Sequence, residues 1–232
     1  MMVGVDLLTT LVWLSVTVVA FATMDRVSQH LGRHPFAHPV LWATPLIIAV
    51  LMATGTRYSV YQSSTSVLSF LLGPAVVSLA VPIWGQRAMI RKLAVPIALA
   101  LTAGALTAII SAVGIVWMFG APAEILASIA PRSATTPVGM AVAQTLGGIP
   151  ALAAVIVVCS GVLGAMVATP LLNLLGVEDY RARGFAVGVA AHGAGAARAF
   201  EVHPTTGAYA GLGMALNAVA TATLLSIIAL FL

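Results

Sequence analysis

The chain has 232 residues, of which 61% are hydrophobic and only 7% are charged, and its mean hydropathy is +1.09. A soluble globular domain carries about 25% charged residues, so this composition excludes one and indicates an integral membrane protein. The apolar runs are much longer than the roughly ten-residue alternating strands of a membrane barrel, which favours α-helices. The formal charge of +4 comes from basic residues scattered over short loops, a pattern that sets membrane topology and does not indicate nucleic-acid binding.

Six apolar segments are candidates for helices that span the bilayer. The first has an apolar core like that of a signal peptide, but no basic region precedes it, so we expect an uncleaved helix. Two further segments, 125–148 and 184–201, are too polar to face lipid and too apolar to be free loops. The six predicted spans are 5–23, 40–54, 67–84, 93–119, 150–176 and 205–232.

The third apolar segment contains an interruption, since Gly73, Pro74 and Pro82 break regular helical hydrogen bonding. The stretches "LLGPAVVSLAVP" (71–82) and "SATTPVGMAVAQ" (133–144) each place a proline before a short run of small apolar residues. Paired interrupted segments of this kind point to the binding site of a transporter built from inverted repeats. The match is too short to distinguish an inverted repeat from chance.

The uneven distribution of basic residues among the loops predicts the orientation of the chain. Arg57 and Arg132 lie in loops that we assign to the outside, against seven basic residues in three loops that we assign to the cytoplasm. All three loops reach the cytoplasm if both semi-polar segments are re-entrant, which means that each enters and leaves on one side. We therefore expect an all-α polytopic membrane protein that forms one domain over residues 1–232. We expect six full spans and two interrupted or re-entrant helical segments. The alternative is an arrangement of eight helices, some of which are broken. The seven residues are Arg26, Arg33, Arg87, Arg91, Lys92, Arg181 and Arg183.

The polar stretch "PRSATTPVG" lies between two long apolar runs, although irregular backbone at membrane depth is tolerated only inside protein or along a water-filled cavity. Pro137 suits the first residue of a half-helix, with Thr136 as its N-cap. Such a helix end has free N–H groups and a partial positive charge, both of which favour a carboxylate. Ser133 and Thr135 add hydroxyls, and Arg132 adds a fixed cation. The alternative is a kink that packs helices together and binds nothing.

The second semi-polar stretch, "FAVGVAAHGAGAARAFE", contains ionisable residues that usually mark pathways or binding sites when they lie inside a membrane. Arg198 and Glu201 are three residues apart and can form a structural ion pair, and Arg198 is also a candidate counter-ion for a carboxylate. Gly193 and Gly195 loosen the helix around His192. The imidazole therefore meets the solute or carries a proton, or else it is a hydrogen-bonded packing residue.

Metal and enzyme chemistry have no support in the sequence. The five histidines form no H-E-x-x-H pattern, and Cys159 is the single cysteine, so we expect no metal site, no cofactor and no disulfide. The G-x-S-x-G pattern of a serine nucleophile is absent as well. We therefore expect that the protein is not an enzyme.

Four motifs carry a resemblance to a known family. They are "GPAVVSLAVPI" (73–83), "PRSATTPVGMAVAQTLGGIPALAAV" (131–155), "GVLGAM" (161–166) and "RGFAVGVAAHGAGAARAFE" (183–201). Together with the flanking spans they resemble the LrgB/CidB family of bacterial membrane proteins over essentially the whole chain. The family pattern usually has lysine where Arg132 stands, and hydroxyl residues where Ala191 and Ala196 stand.

The resemblance implies one of two functions. One is a carrier for small monocarboxylates of the pyruvate, glycolate and lactate class, similar to the LrgB-like part of the plant plastidial glycolate/glycerate translocator. The other is a holin-like or antiholin-like regulator of murein hydrolase export and cell lysis. Polar residues concentrated in two discrete segments favour the carrier, because a lytic pore needs amphipathic, self-associating helices. A purely structural partner subunit stays open.

The resemblance also implies a setting and partners. We expect a multi-pass protein of the bacterial cytoplasmic membrane that contacts membrane lipid and forms a homo-oligomer. The expected protein partner is a small LrgA/CidA-like membrane protein, and the expected ligand is a small carboxylate.

Overall fold

The computed structural model describes residues 6–33, 37, 39–78 and 80–230. Within these ranges the chain forms helices and short connections with no strand, which confirms the all-α prediction. The helices are α1 (Leu7–His30), α2 (Pro39–Thr54), α3 (Tyr58–Ser64), α4 (Ser66–Ser78), α5 (Ala80–Gly85), α6 (Arg87–Lys92), α7 (Ala94–Met118), α8 (Ala123–Ile129), α9 (Thr136–Thr145), α10 (Pro150–Leu174), α11 (Tyr180–Val202) and α12 (Pro204–Ala229).

The chain divides into two compact units, residues 1–80 and residues 81–232. In the first unit, α1 and α3 are joined by an edge-to-face contact between Trp13 and Tyr61, whose ring centroids are 5.6 Å apart, and by a 3.1 Å hydrogen bond between the hydroxyls of Thr17 and Tyr61. The second unit holds both semi-polar segments. The prediction of one domain over residues 1–232 stays a prediction.

Fewer helices qualify as full spans than the six that the sequence predicted. Four described helices, α1, α7, α10 and α12, are long and apolar enough to cross a membrane, and α2 with α3, bent by 120°, makes up to five. Pro45 lies inside α2, which has only 16 residues. The segment 67–84 is divided between α4, which contains Gly73 and Pro74, and the short α5, which contains Pro82; Leu79 between them lies outside the described residues.

The second semi-polar segment is a helical hairpin. The backbone of α11 leaves the helical region at His192, where φ is 39° and ψ is −128°, a conformation that residues other than glycine rarely adopt. A straight helix of this length would separate its ends by about 33 Å. Instead, the rings of Tyr180 and His203 stack with their centroids 4.4 Å apart. A Cβ atom added to Gly195 would lie 2.8 Å from the Val187 side chain, so the two arms are in contact.

We call residues 180–202 hairpin 2, with a first arm (180–191) and a second arm (193–202). Because its two ends meet, this segment begins and ends at the same end of the helix bundle, as the re-entrant prediction required. Asp179 caps the first arm by accepting a 2.7 Å hydrogen bond from the backbone N–H of Arg181. The Arg181 guanidinium also binds this carboxylate, and these hydrogen bonds lower the pKa of Asp179 to about 2.

The first semi-polar segment also folds back on itself. We call residues 123–145 hairpin 1; its arms are α8 and α9, and its tip is the non-helical stretch 130–135. After α9 the chain returns beside α8, where the Ile149 backbone N–H donates a 2.7 Å hydrogen bond to Ser128 Oγ. A Cβ atom on Gly148 would lie 2.9 Å from the same oxygen. The return of hairpin 1 therefore lies beside the N-terminal end of α10. Hairpin 2 comes after the C-terminal end of α10 in the chain.

Small residues allow hairpin 2 to pack closely on α12. A Cβ atom on Gly184 would collide with the Thr206 carbonyl oxygen, and one on Gly188 would collide with that of Ala210. Both members of these two contacts increase in residue number together, so the first arm and the start of α12 run parallel. This direction is expected, because the chain reverses twice between them, at His192 and at His203. Close approach through glycine is typical of helix packing in membranes.

Labelling of single cysteines in a Cys159→Ala background tests the two hairpins. We expect a membrane-impermeant maleimide to label Glu124→Cys and Thr145→Cys from the outside, and Ala182→Cys and Pro204→Cys from the cytoplasm, because each hairpin returns to the side from which it entered. All four side chains are exposed.

The orientation rests on the basic residues near Ala182. Labelling of the two cysteines of one hairpin from different sides would contradict the hairpin. Outside labelling of both Ala182→Cys and Pro204→Cys would retain hairpin 2 and overturn the orientation.

A candidate solute site at the tips of two hairpins

The tip of hairpin 1 lies against the middle of α10. Ser160 Oγ donates a 2.9 Å hydrogen bond to the Arg132 carbonyl oxygen. At 1.5 Å of rise per residue, Ser160 is about 15 Å from the first residue of α10, a helix about 37 Å long. Pro131, Ser133 and Ala134 in the tip are buried. The irregular backbone is therefore enclosed by protein, as its polarity requires at membrane depth.

A single side chain joins the two hairpins. Asn217 on α12 is 0% exposed, and its Nδ2 donates a 2.8 Å hydrogen bond to the Ser133 carbonyl and a 3.1 Å hydrogen bond to the Val189 carbonyl. Val189 is in the last turn of the first arm of hairpin 2. The Thr221 hydroxyl is 3.5 Å from Asn217 Oδ1. One amide thus holds both broken segments at the same depth.

His192 occupies the turn of hairpin 2 and contacts α10. It is 6% exposed, and its Nε2 lies 2.9 Å from the Val157 carbonyl oxygen, so in the neutral form Nε2 carries the proton that is donated. A Cβ atom on Gly161 would collide with the imidazole ring. The ring therefore packs on α10 one helical turn from Ser160, which holds the tip of hairpin 1.

The start of α9 differs by one residue from the prediction. The helix begins at Thr136, with Thr135 as its N-cap, and Pro137 is the second helical residue. The correction follows from the backbone of Thr135, which is extended (φ −70°, ψ 153°). Its side chain makes no capping hydrogen bond, so the first turn keeps its free N–H groups. Thr135 and Thr136 are half-buried, and Pro137 is exposed.

Arg132 lines an open cleft of about 530 Å³ between α7 and the first arm of hairpin 2. The guanidinium is half-buried and forms no ion pair within the described ranges. Thr107 and Ser111 of α7 line the same cleft and add hydroxyls, while the other lining residues are small or apolar. Next to Arg132, the Ser133 side chain is 1% exposed, and its hydroxyl has no hydrogen-bond partner among the residues that the structure describes.

The remaining candidate residues lie apart from Arg132. Arg198 Nη1 is 2.8 Å from Glu201 Oε2, so these two residues form an ion pair on the second arm of hairpin 2. Arg198 also lines a cavity of about 20 Å³ with Arg183 and Thr206, away from the α7 cleft. Gly195 packs between the two arms, and Gly193 is exposed with open space around it.

Sequence reasoning missed the residues that hold the site together. Asn217, Thr221 and Ser160 are polar residues inside long apolar spans, and polar residues at membrane depth usually have a specific role. That signal was present in the sequence. Thr107 and Ser111 carried no comparable signal, because their position in the cleft depends on how α7 packs against hairpin 2.

These features define a membrane-embedded α-helical protein with two broken hairpins that meet around a polar centre. The chain belongs to the LrgB-like family, whose model matches residues 17–231 and so includes both compact units.

Curated relatives match along nearly the full length of the chain. YxaC of Bacillus subtilis (strain 168) is 34% identical over 203 residues, 88% of each protein, and YwbG of the same strain is 31% identical over 211 residues, 91% of this chain and 93% of YwbG. The holin-like protein CidB of Staphylococcus aureus (strain N315) is 29% identical over 225 residues, 97% of this chain and 98% of CidB. No solved structure matches the chain.

Replacing Asn217 tests its role as the bridge between hairpins. Asn217→Leu keeps the branching and the number of side-chain heavy atoms but removes both N–H donors, which leaves the Ser133 and Val189 carbonyls buried without this partner. Each such group costs about 1–3 kcal/mol, so we expect a clear loss of thermostability in detergent. Thr221→Val is the control, because it loses only one 3.5 Å contact at an equally buried position on the same helix. Equal thermostability of the Asn217→Leu variant and the native protein would contradict the bridge.

Proposed function

We propose that the protein is a membrane carrier for small monocarboxylates of the pyruvate, glycolate and lactate class. The observation that carries this proposal is the position of Arg132 and Ser133: a guanidinium without an ion-pair partner lines a cleft, and beside it a buried hydroxyl lacks a hydrogen-bond partner in the described chain. Buried polar groups are normally hydrogen-bonded, so this arrangement favours a ligand that supplies the missing partner. A carboxylate in the cleft accepts hydrogen bonds from the guanidinium.

The chemistry of the hairpin tips supports an anionic solute. A guanidinium binds a carboxylate through two parallel hydrogen bonds, and Arg132 lies four residues before the start of α9 in the chain. The first turn of α9 adds free N–H groups and the positive end of a helix dipole, together with the Thr135 and Thr136 hydroxyls. Discontinuous helices that meet near the middle of a membrane bundle are the usual location of transporter sites. The cleft is large enough for a two- or three-carbon acid.

His192 has a supporting role in this proposal. Its imidazole packs on α10 and holds the turn of hairpin 2, so it positions the wall of the site. An imidazole at this place also provides a group that can exchange a proton when the turn moves. The Arg198–Glu201 pair stabilises the second arm, away from the cleft.

The alternative function is a holin-like or antiholin-like regulator of murein hydrolase export and cell lysis. It is supported by the name of the CidB relatives, which are called holin-like proteins. In either case we propose the bacterial cytoplasmic membrane as the location, a small LrgA/CidA-like membrane protein as the partner, and a homo-oligomer as the assembly. We propose no enzymatic activity.

Reconstitution separates the two functions. We expect proteoliposomes containing the protein, with the LrgA/CidA-like partner where it is required, to accumulate radiolabelled pyruvate, lactate or glycolate and to retain entrapped calcein. A carrier never opens a continuous pore, whereas a holin-like lesion releases the dye. Calcein release without saturable carboxylate uptake would overturn the carrier and favour the alternative.

In the same assay, Arg132→Gln is expected to reduce uptake at least about 10-fold, because a charge-assisted bidentate pair contributes more than about 1.4 kcal/mol. The loss should leave the amount of folded protein unchanged, since the Arg132 carbonyl keeps its bond to Ser160. Arg87→Gln is the control: Arg87 is exposed, stacks on Trp84 and lies outside the cleft. If the Arg132→Gln variant takes up carboxylate at the native rate, Arg132 does not bind the solute.

A further inference from the structure

A second cavity lies beside the Arg132 cleft, near the open end of hairpin 2. Its volume is about 230 Å³, and it is lined by residues of α7 and of the first arm together with Tyr209 of α12. The Asp179–Arg181 ion pair stands at this cavity. We call this cavity the mouth, because Asp179 lies in the connection between α10 and hairpin 2 and Arg181 lies at the start of hairpin 2.

The mouth and the Arg132 cleft are adjacent. Ala100 of α7 and both Ala182 and Phe185 of hairpin 2 line the two cavities at once. Arg181 and Arg132, one at each end, are both cations. The two cavities therefore form one groove between α7 and the first arm, with Arg132 at one end and the Asp179–Arg181 ion pair at the other.

The walls of the groove between its ends are made of small side chains. On hairpin 2, Ala182, Ala186 and Ala190 are all exposed and recur every four residues, which places them on one helix face. On α7, Ala100 and Gly104 lie on the opposite wall. Small side chains leave the space open, and Phe185 is the bulky residue that stands between the two cavities.

Tyr209 supplies the observation that points to a solute in the mouth. It is 1% exposed, and its hydroxyl lacks a hydrogen-bond partner in the part of the chain that the structure describes. An enclosed hydroxyl without a partner is unfavourable, so we expect water or a solute in the mouth to form a hydrogen bond with it. Arg132, which has no ion-pair partner among the described residues, lines the other end of the groove.

We propose that the groove between α7 and the first arm of hairpin 2 is a water-filled access route for a small anion, leading from the Asp179–Arg181 mouth to Arg132. The Asp179–Arg181 pair carries no net charge, so it neither repels the anion at the entrance nor holds it there. The alanine face offers no hydrogen bonds that would hold the solute along the way, and Arg132 receives it at the tip of hairpin 1. The identity of this anion as a monocarboxylate rests on the proposed function; the route does not.

Cysteine reactivity in lipid nanodiscs tests the route. In a Cys159→Ala background, Ala186→Cys is expected to react with a charged, water-soluble methanethiosulfonate at least about 10-fold faster than Val219→Cys. Val219 is the lipid-facing control, 67% exposed on α12. Both substitutions are small, so folding is preserved. Equal, slow reaction at the two positions would show that the alanine face contacts lipid, and would overturn the proposal.

The Ala190→Cys variant tests whether the route favours anions over cations. Ala190 lines the same cleft as Arg132. Here a sulfonate reagent is expected to react faster than a quaternary ammonium reagent, and adding Arg132→Gln should lower the ratio of the two rates by roughly 10-fold, because a low-dielectric cleft focuses the field of its charge. An unchanged ratio would contradict the role of Arg132 as the end of the route. If the labelling results hold while carboxylate uptake fails, the route stands and the monocarboxylate identity falls.

Discussion

The two hydrogen bonds donated by the Asn217 amide are the interaction on which the centre of the second unit depends. A helix that breaks inside a membrane bundle leaves backbone carbonyls without partners, and no water is available in hydrocarbon to satisfy them. Asn217 is fully buried and reaches one such carbonyl from each hairpin, at Ser133 and at Val189. A side-chain amide can do this because its nitrogen carries two protons. Both breaks are thereby stabilised at a common depth by a residue that belongs to neither hairpin.

The position of α10 also follows from the need to satisfy polar groups where the two hairpins break. Hairpin 1 lies at one end of this helix and hairpin 2 at the other, and both tips contact its middle through Ser160 and Val157. Gly161 lets the His192 ring approach the helix axis, where any side chain would collide with it. The result is a polar centre inside an apolar bundle, with Arg132 directed to a cleft and the Arg198–Glu201 pair kept apart from it. Arg132 makes no ion pair within the described residues, whereas Arg181 at the mouth is paired with Asp179.

Much of this organisation follows from the sequence, because its causes are local. Composition indicates a helical membrane protein, and the asymmetry of basic loops requires that both semi-polar segments return to the side from which they enter. The polarity of "PRSATTPVG" and the glycines around His192 locate both hairpin tips. Span counting was less successful, since α2 is short and the prolines at 74 and 82 divide the third predicted span. The Asn217 bridge was missed because one polar residue in an apolar run does not reveal its partners, which are 84 and 28 residues away in the chain.

The reversal of the chain at His192 is the central claim, and one distance tests it most directly. Spin labels at Ala182 and Val202 are 20 residues apart, so a continuous helix would place their backbone positions about 30 Å apart. In hairpin 2 these positions lie side by side near the stacked rings of Tyr180 and His203. Double electron–electron resonance in nanodiscs should therefore give a distribution centred below about 20 Å. A distribution centred above about 30 Å would show an unbroken helix and contradict the hairpin.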